Sequence, residues 1–299
     1  MQNTNKILMI RPVGFTYNPE TAGNNLFQVA GNADNAQEKA LKEFDVFVET
    51  LRKNDIDVTV INDTPEPHTP DSIFPNNWIS FHENNTVILY PMYAQNRRAE
   101  RKQHVKDFIS QNFNKGNIVD LTAFEKENIF LEGTGSMVLD RENKIAYACI
   151  SPRTNKKVLD FFCDKMNYTA CTFEANDESG NQIYHTNVMM CVADRFIVIC
   201  LDSITNEEEK KKVIKTIEQT SKKIIPISYK QMNSFAGNML QLKDSKGEKL
   251  LVMSAQAFQS LSKEQIVMLS KYNRIIYSNI ETIEKNGGGS ARCMIAEVF

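Results

Sequence analysis

The feature that most constrains this chain is an internal repeat. Five segments carry apolar residues at helical spacing beneath charged faces. They begin near Asn35 (NAQEKALKEFDVFVETLRK), Arg97 (RRAERKQHVKDFISQNF), Thr154 (TNKKVLDFFCDKM), Asn206 (NEEEKKKVIKTIEQTSKK) and Ser262 (SKEQIVMLSKY), 52 to 62 residues apart. Each helix is followed by a short apolar strand: DVTVI, NIVDL, YTACTF, KIIPI or RIIYS. After a polar turn comes a second strand: WISF (78–81), SMVL (136–139), VMMCV (188–192), MLQL (239–242) or MIAEVF (294–299). A third strand (TVILYP, KIAYACI, RFIVICL, KLLVMS) leads to the next helix. The fifth unit lacks this third strand, and KILMIRP near the N-terminus has the character to supply it. The pattern predicts an α/β chain of five ββαβ-type units closed into a ring, with both ends of the chain in one sheet. No linker or low-complexity tract interrupts it, so residues 1–299 read as a single domain.

A ring of this kind concentrates chemistry. Asn77, Gly135, Asn187, Asn238 and Cys293 each immediately precede the second strand of their unit. Around a pseudo-axis these positions converge, and the polar groups of interest lie at them or within six residues of them. In NGGGSARCMIAEVF, Cys293 follows a glycine run that permits a tight loop beside a ligand. A cysteine at a polar, glycine-lined edge has the access that reactivity requires, although a buried strand-end thiol would satisfy the same spacing. Cys149, Cys191 and Cys200 lie inside apolar strand-like runs and read as small core hydrophobes. Of four histidines, His68 sits in a proline-rich turn, and His82 and His104 read as surface positions. His185, in IYHTNVMM, shares the register of Cys293 and is the candidate general acid/base. Glu132, in FLEGTGSMVL, occupies the same point of its unit and is placed to orient the imidazole, unless it is a solvated loop carboxylate. The GTG that follows opens no GxGxxG, which excludes a dinucleotide site.

Composition narrows the partners. With 35 basic and 37 acidic residues the net charge is −2, so there is no basic field for a nucleic acid. The apolar run Ile7–Ile10 is too short for a signal peptide, and no stretch approaches a membrane span. The chain reads as cytoplasmic, with its oligomeric state open and a homo-oligomer compatible. Its six cysteines are therefore read as thiols, and none has zinc-ligand spacing. No metal and no cofactor is expected.

The motifs PDSIFPNNW, LEGTGS, SPRTN, YHTN, AGN and GGGSARC together resemble the pentein superfamily, which includes arginine deiminases, dimethylarginine dimethylaminohydrolases, agmatine deiminases and amidinotransferases. The resemblance runs the whole length of the chain. It implies a fivefold pseudosymmetric αβ-propeller and a C-terminal cysteine that attacks a guanidinium carbon. By position it implies Cys293 as nucleophile, His185 as general acid/base and Glu132 as its partner. It further implies Asp71 for the substrate α-amino group and Arg153 for the α-carboxylate, with Arg98 a second candidate for the latter.

Two departures alter the expected substrate. Arginine deiminases usually carry aspartate where Asn77 stands, and an H-x-D where this chain has His185-Thr186-Asn187. Holding a guanidinium against two amides forfeits charge-assisted hydrogen bonds of ~1.5–3 kcal/mol each. A neutral ureido group instead offers a carbonyl oxygen to which an asparagine NH2 can donate. A polar mismatch in a closed site costs a factor of about 10⁴. The pattern is thus most similar to the citrulline-utilising hydrolases, implying citrulline plus water giving ornithine, ammonia and carbon dioxide. The alternatives are an arginine or agmatine deiminase, an amidinotransferase, and a non-catalytic propeller serving as a binding scaffold. The polar loop NPETAGNNLFQ (18–28) is a candidate lid.

Overall fold

The computed structural model describes all residues except Leu26, 30–34, Asn84 and 114–115. Its strands form five three-stranded sheets. The first contains β1 (Lys6–Arg11) and β2 (Asp57–Asn62). The second is β3 (Ile79–Phe81), β4 (Val87–Leu89) and β5 (Ile118–Asp120). The third is β6 (Val138–Asp140), β7 (Ile145–Cys149) and β8 (Thr169–Phe173). The fourth is β9 (Met190–Val192), β10 (Phe196–Ile199) and β11 (Lys223–Pro226). The fifth is β12 (Leu240–Lys243), β13 (Lys249–Ser254) and β14 (Arg274–Ser278), while β15 (Ala296–Val298) completes the first.

Every sheet repeats one pairing rule. The first strand runs antiparallel to the second, as β9 does to β10, and the second runs parallel to the third across a helical connection. In the first sheet the order is β15-β1-β2, with Lys6 opposite Val298 on one side and Asp57 on the other. The N-terminal strand therefore fills the gap left in the fifth unit, as the repeat predicts.

The helices form where apolar residues fall on one face. Helix Ala36–Lys53 buries Ala36, Ala40, Phe44, Phe47, Val48 and Leu51, a stripe of i, i+3 and i+4 steps. Its aromatic rings join Ile7, Met9 and Val58 in a core that extends to Phe74, Cys293 and Ile295. Each such fully buried side chain contributes roughly 1.5–3 kcal/mol relative to an exposed one. Asn155 caps helix Lys156–Met166, accepting from the Lys157 N–H, and Asn206 caps helix Glu207–Glu218 in the same way. No helix among the described residues is long and apolar enough to cross a membrane.

The sheets are joined edge to edge through their first strands. β15 packs beside β3, β6 beside β9, and β9 beside β12. Gln2 donates to the carbonyls of Leu139 and Val192, stitching the third sheet to the fourth. The Lys243 N–H donates to Thr4 O, joining the fifth sheet to the first.

Each first strand starts one or two residues later than its apolar run suggests. The leading residues close a helical turn instead: Pro75–Asn77, Gly133–Ser136 and Thr186–Met189, with hydrogen-bonded turns at 234–237 and 291–294. The Met137 N–H, for example, bonds back to Gly133 O at 3.2 Å. Apolar residues continue through both turn and strand, so periodicity cannot locate the boundary.

Candidate active site

Those turns carry the site. Cys293 lies on the last of them, its N–H bonded to Ser290 O at 2.9 Å. The expected glycine loop begins as a helix, Glu281–Gly287, which Gly288 ends at φ +62°. A Cβ at Gly288 would stand 2.5 Å from Asn25 Nδ2, so the loop is shaped around the 18–28 segment. Of that segment all but Leu26 is described. It packs onto the glycine turn, with Gln28 Nε2 donating to Asn286 O at 2.8 Å.

Cys293, His185, Asp71, Asn77 and Arg153 line one small cavity, bounded by Thr21, Phe74, Tyr184 and the glycine turn. Cys293 is buried but faces this space, at 3% exposure. Elsewhere burial pushes the thiols of Cys149, Cys163 and Cys191 up to about 12, and all six cysteines are free. Among the described residues no cluster of three His, Cys, Asp or Glu side chains could hold a metal ion.

His185 and Glu132 meet inside the protein. His185 Nε2 lies 2.8 Å from Glu132 Oε2, and Glu132 is fully buried rather than a solvated loop carboxylate. Burial alone would raise the Glu132 carboxyl, but the Arg153 guanidinium 3.5 Å away and the His185 bond hold it down to about 2. An ionised carboxylate only accepts, so Nε2 carries the proton and Nδ1 is the bare nitrogen. Burial pushes His185 down to about 4 against the pull of Glu132, leaving a neutral imidazole able to take a proton. The second carboxylate oxygen accepts the Tyr93 N–H at 2.9 Å.

Around the sulfur are amides. Asn187 Nδ2 reaches Cys293 Sγ at 3.4 Å, and Asn238 Nδ2 reaches it at 3.2 Å. Asn77 presents its Oδ1 to Arg97 Nη1 at 2.8 Å. Three buried polar atoms here lack a hydrogen-bond partner: Asn77 Nδ2, Asn187 Oδ1 and Asp71 Oδ1. The other Asp71 oxygen accepts from Asn18 Nδ2 (2.7 Å) and Thr21 Oγ1 (3.3 Å). Burial raises the Asp71 carboxyl, opposed by the charge of Arg97.

Two expectations need correction. Arg98 does not reach the cavity: its Nε donates to Met92 O at 2.9 Å and its Nη2 to Tyr93 O at 3.3 Å. Its neighbour Arg97 lines the cavity instead, buried and paired with Glu100 at 2.7 Å. The one-turn helix Gln95–Arg98 decides which arginine points inward, and two adjacent arginines give no sequence signal for that choice. Arg153 lines the cavity as expected, but also ties the 18–28 segment, donating to Thr21 O at 2.9 Å and to Asn24 Oδ1. His82 is buried, not a surface residue, with Nε2 2.8 Å from Ser80 Oγ.

The model of the eukaryotic N,N dimethylarginine dimethylhydrolase family matches residues 11–299. Comparison with curated proteins gave no match. Among solved structures, the N-terminal domain of ArgZ covalently bound to a reaction intermediate is similar at TM-score 0.76 and 17% identity, covering 98% of this chain and 97% of that one. Full-length ArgZ, an arginine dihydrolase from the ornithine-ammonia cycle in cyanobacteria, is similar at TM-score 0.74 and 17% identity, over 98% of this chain. This chain spans only 40% of that longer protein. A dimethylarginine dimethylaminohydrolase carrying an S-methyl-L-thiocitrulline adduct is similar at TM-score 0.69 and 15% identity, over 99% of this chain and 100% of that one.

Proposed function

The chain belongs to the eukaryotic N,N dimethylarginine dimethylhydrolase family, within the pentein superfamily, and from that premise we propose that it hydrolyses the ureido group of L-citrulline, giving L-ornithine, ammonia and carbon dioxide. The observation that carries this reading is the polarity of Asn77. Arg97 has only donors, so Asn77 Oδ1 must face it and the partnerless Nδ2 must face away. A ureido oxygen accepts from that NH2, whereas a guanidinium nitrogen would oppose it donor to donor. Asp71 is the only carboxylate lining the cavity among the described residues, and Glu132 is engaged by His185 and Arg153. With Asp71 taking the substrate α-ammonium in this reading, neither balances a guanidinium beside Cys293.

In this mechanism Cys293 gives its proton to His185, and the sulfur attacks the ureido carbon while the C=O electron pair moves onto oxygen. The tetrahedral adduct re-forms its carbonyl and expels one nitrogen, which takes the proton from His185. Water then loses a proton to His185 and attacks the S-carbamoyl carbon, and sulfur departs. The resulting carbamate releases carbon dioxide and the second amine, so either order of nitrogen departure reaches the same products. Asp71 Oδ1 receives the α-ammonium, and Arg153 with Arg97 receives the α-carboxylate, the task for which Arg98 is out of reach. The 18–28 segment serves as the lid. Residues 1–299 act as one domain, with the five sheets as blades of a fivefold αβ-propeller. The packing of first strand on first strand supports that arrangement.

A second reading, favoured by the likeness to ArgZ, is an arginine dihydrolase, in which the same thiol hydrolyses guanidine to urea and urea to amine. Supplying citrulline, arginine and agmatine separately, and assaying ornithine, citrulline and ammonia, discriminates them. Ornithine from citrulline but not from arginine, abolished in Cys293→Ala, is the expected result. Ornithine from both substrates selects the dihydrolase. Citrulline accumulating from arginine, with no ornithine from citrulline, overturns both in favour of a deiminase.

A further inference from the structure

One amide at the reaction centre has no part in the chemistry above. Asn238 is fully buried, and its N–H closes the turn before β12 onto Phe235 O at 2.8 Å. Its Oδ1 accepts the backbone N–H of Arg292 at 3.0 Å. A backbone N–H only donates, so the orientation of the amide is determined. Its Nδ2 must then face the carbonyl of Asn187, at 2.9 Å, and Cys293 Sγ, at 3.2 Å. Asn187 Nδ2 approaches the same sulfur at 3.4 Å.

The opposite role has a single acceptor. A thiol proton has Asn238 Oδ1 at 3.6 Å, an oxygen that also accepts the Arg292 N–H. Two donors nearer than one shared acceptor suit a sulfur anion better than a thiol. Nor does the resting site bring an imidazolium to the sulfur, since burial keeps His185 neutral. The amide dipoles therefore take the place that a cation holds beside many reactive cysteines.

Resting on the reading of Cys293 as nucleophile, we propose that Asn238 is a further catalytic residue, which with Asn187 stabilises the negative charge on the Cys293 sulfur as it gives up its proton to attack and again when it leaves in the hydrolytic step. The sulfur's proton passes to His185 in the first case and is not needed in the second. The backbone of Arg292, by fixing the amide, is the positioning group.

Asn238→Asp tests this directly. It keeps an oxygen for the Arg292 N–H and the shape of the side chain, but replaces the donor at sulfur with an acceptor. Asn238→Ala is the second variant, lacking the donor without adding a charge. Ultraviolet thiolate absorbance is recorded across a pH series as the difference from Cys293→Ser, alongside kcat, KM and melting temperature. The expected result is a thiolate band that appears at higher pH in both variants, with kcat lowered roughly 10–100-fold and KM little changed. Variants that melt like wild type and superimpose on its thiolate series overturn the proposal. So does a wild-type band that Cys293→Ser fails to remove. Because the titration needs no substrate, it decides the role of Asn238 even if citrulline proves not to be turned over.

Discussion

Arg97 Nη1 donates to Asn77 Oδ1 at 2.8 Å, and this bond turns the NH2 of the amide away from the arginine. A carboxylate at residue 77 would pair with the same arginine and offer no donor. Asn77→Asp is therefore expected to lower kcat/KM for citrulline by about 10²–10⁴, and to lower that for arginine much less. Steady-state kinetics on both substrates check this. An unchanged citrulline efficiency would remove the polarity of Asn77 from the argument.

Gly135 stands where no side chain fits. A Cβ there would lie 2.4 Å from Asn77 Nδ2 and 2.9 Å from His185 Nδ1, so the two groups must separate. Gly135 is not in the left-handed region, so the substitution strains contacts rather than backbone. Gly135→Ala should cost about 1–3 kcal/mol of stability and lower kcat/KM by about 10² or more. Denaturant melts and kinetics measured on the same preparation give both numbers.

Glu132 accepts from Tyr93 N–H with one oxygen and from His185 with the other. In Glu132→Gln the NH2 must oppose one of these donors, and facing His185 it would move the ring proton to Nδ1 and destroy the base. We expect kcat to fall roughly 10²–10⁴-fold with KM within a few-fold of wild type. A fall confined to KM would reassign Glu132 to substrate binding.

Glu284 sits behind the nucleophile turn and accepts from Ser290 Oγ at 2.6 Å. Burial raises its carboxyl from the ordinary 4.5 to about 7. A carboxyl raised on folding contributes stability that is complete below 4.5 and is lost as pH rises through 7. That loss amounts to about 3 kcal/mol at most. Glu284→Gln should flatten stability over this window, as urea melts at several pH values would register. A slope equal to that of wild type would place the pH dependence elsewhere.

The repeat was open to reading because apolar periodicity reports burial directly. Helix Ala36–Lys53 and strand β1 could be located from their side chains alone, as could the closure of β1 onto β15. The meeting of His185 with Glu132 followed from their shared register at the turns. Local geometry was harder. Ser136 and the pair Val188 and Met189 read as strand, yet they close the one-turn helices Gly133–Ser136 and Thr186–Met189. His82 looked exposed because nothing nearby in sequence announces Arg141 and Phe162 as its surroundings. Asn238 stood in register with Cys293 without any sign of what its amide would touch.

From its sequence alone the chain was committed to five units, a candidate nucleophile near its C-terminal end and amides where a guanidinium site would carry carboxylates. Those features depend on residue type and spacing, which one strand or helix reveals by itself. The tertiary structure decided the orientation of every polar group among them: Arg97 rather than Arg98 inward, Asn77 with its NH2 away from Arg97, Asn238 with its NH2 on the sulfur. The two amides are oriented by donors from other parts of the chain, the Arg97 guanidinium and the Arg292 N–H, and Arg97 by acceptors on Glu100, Asn77 and Phe74; none has a preferred direction until its partner arrives.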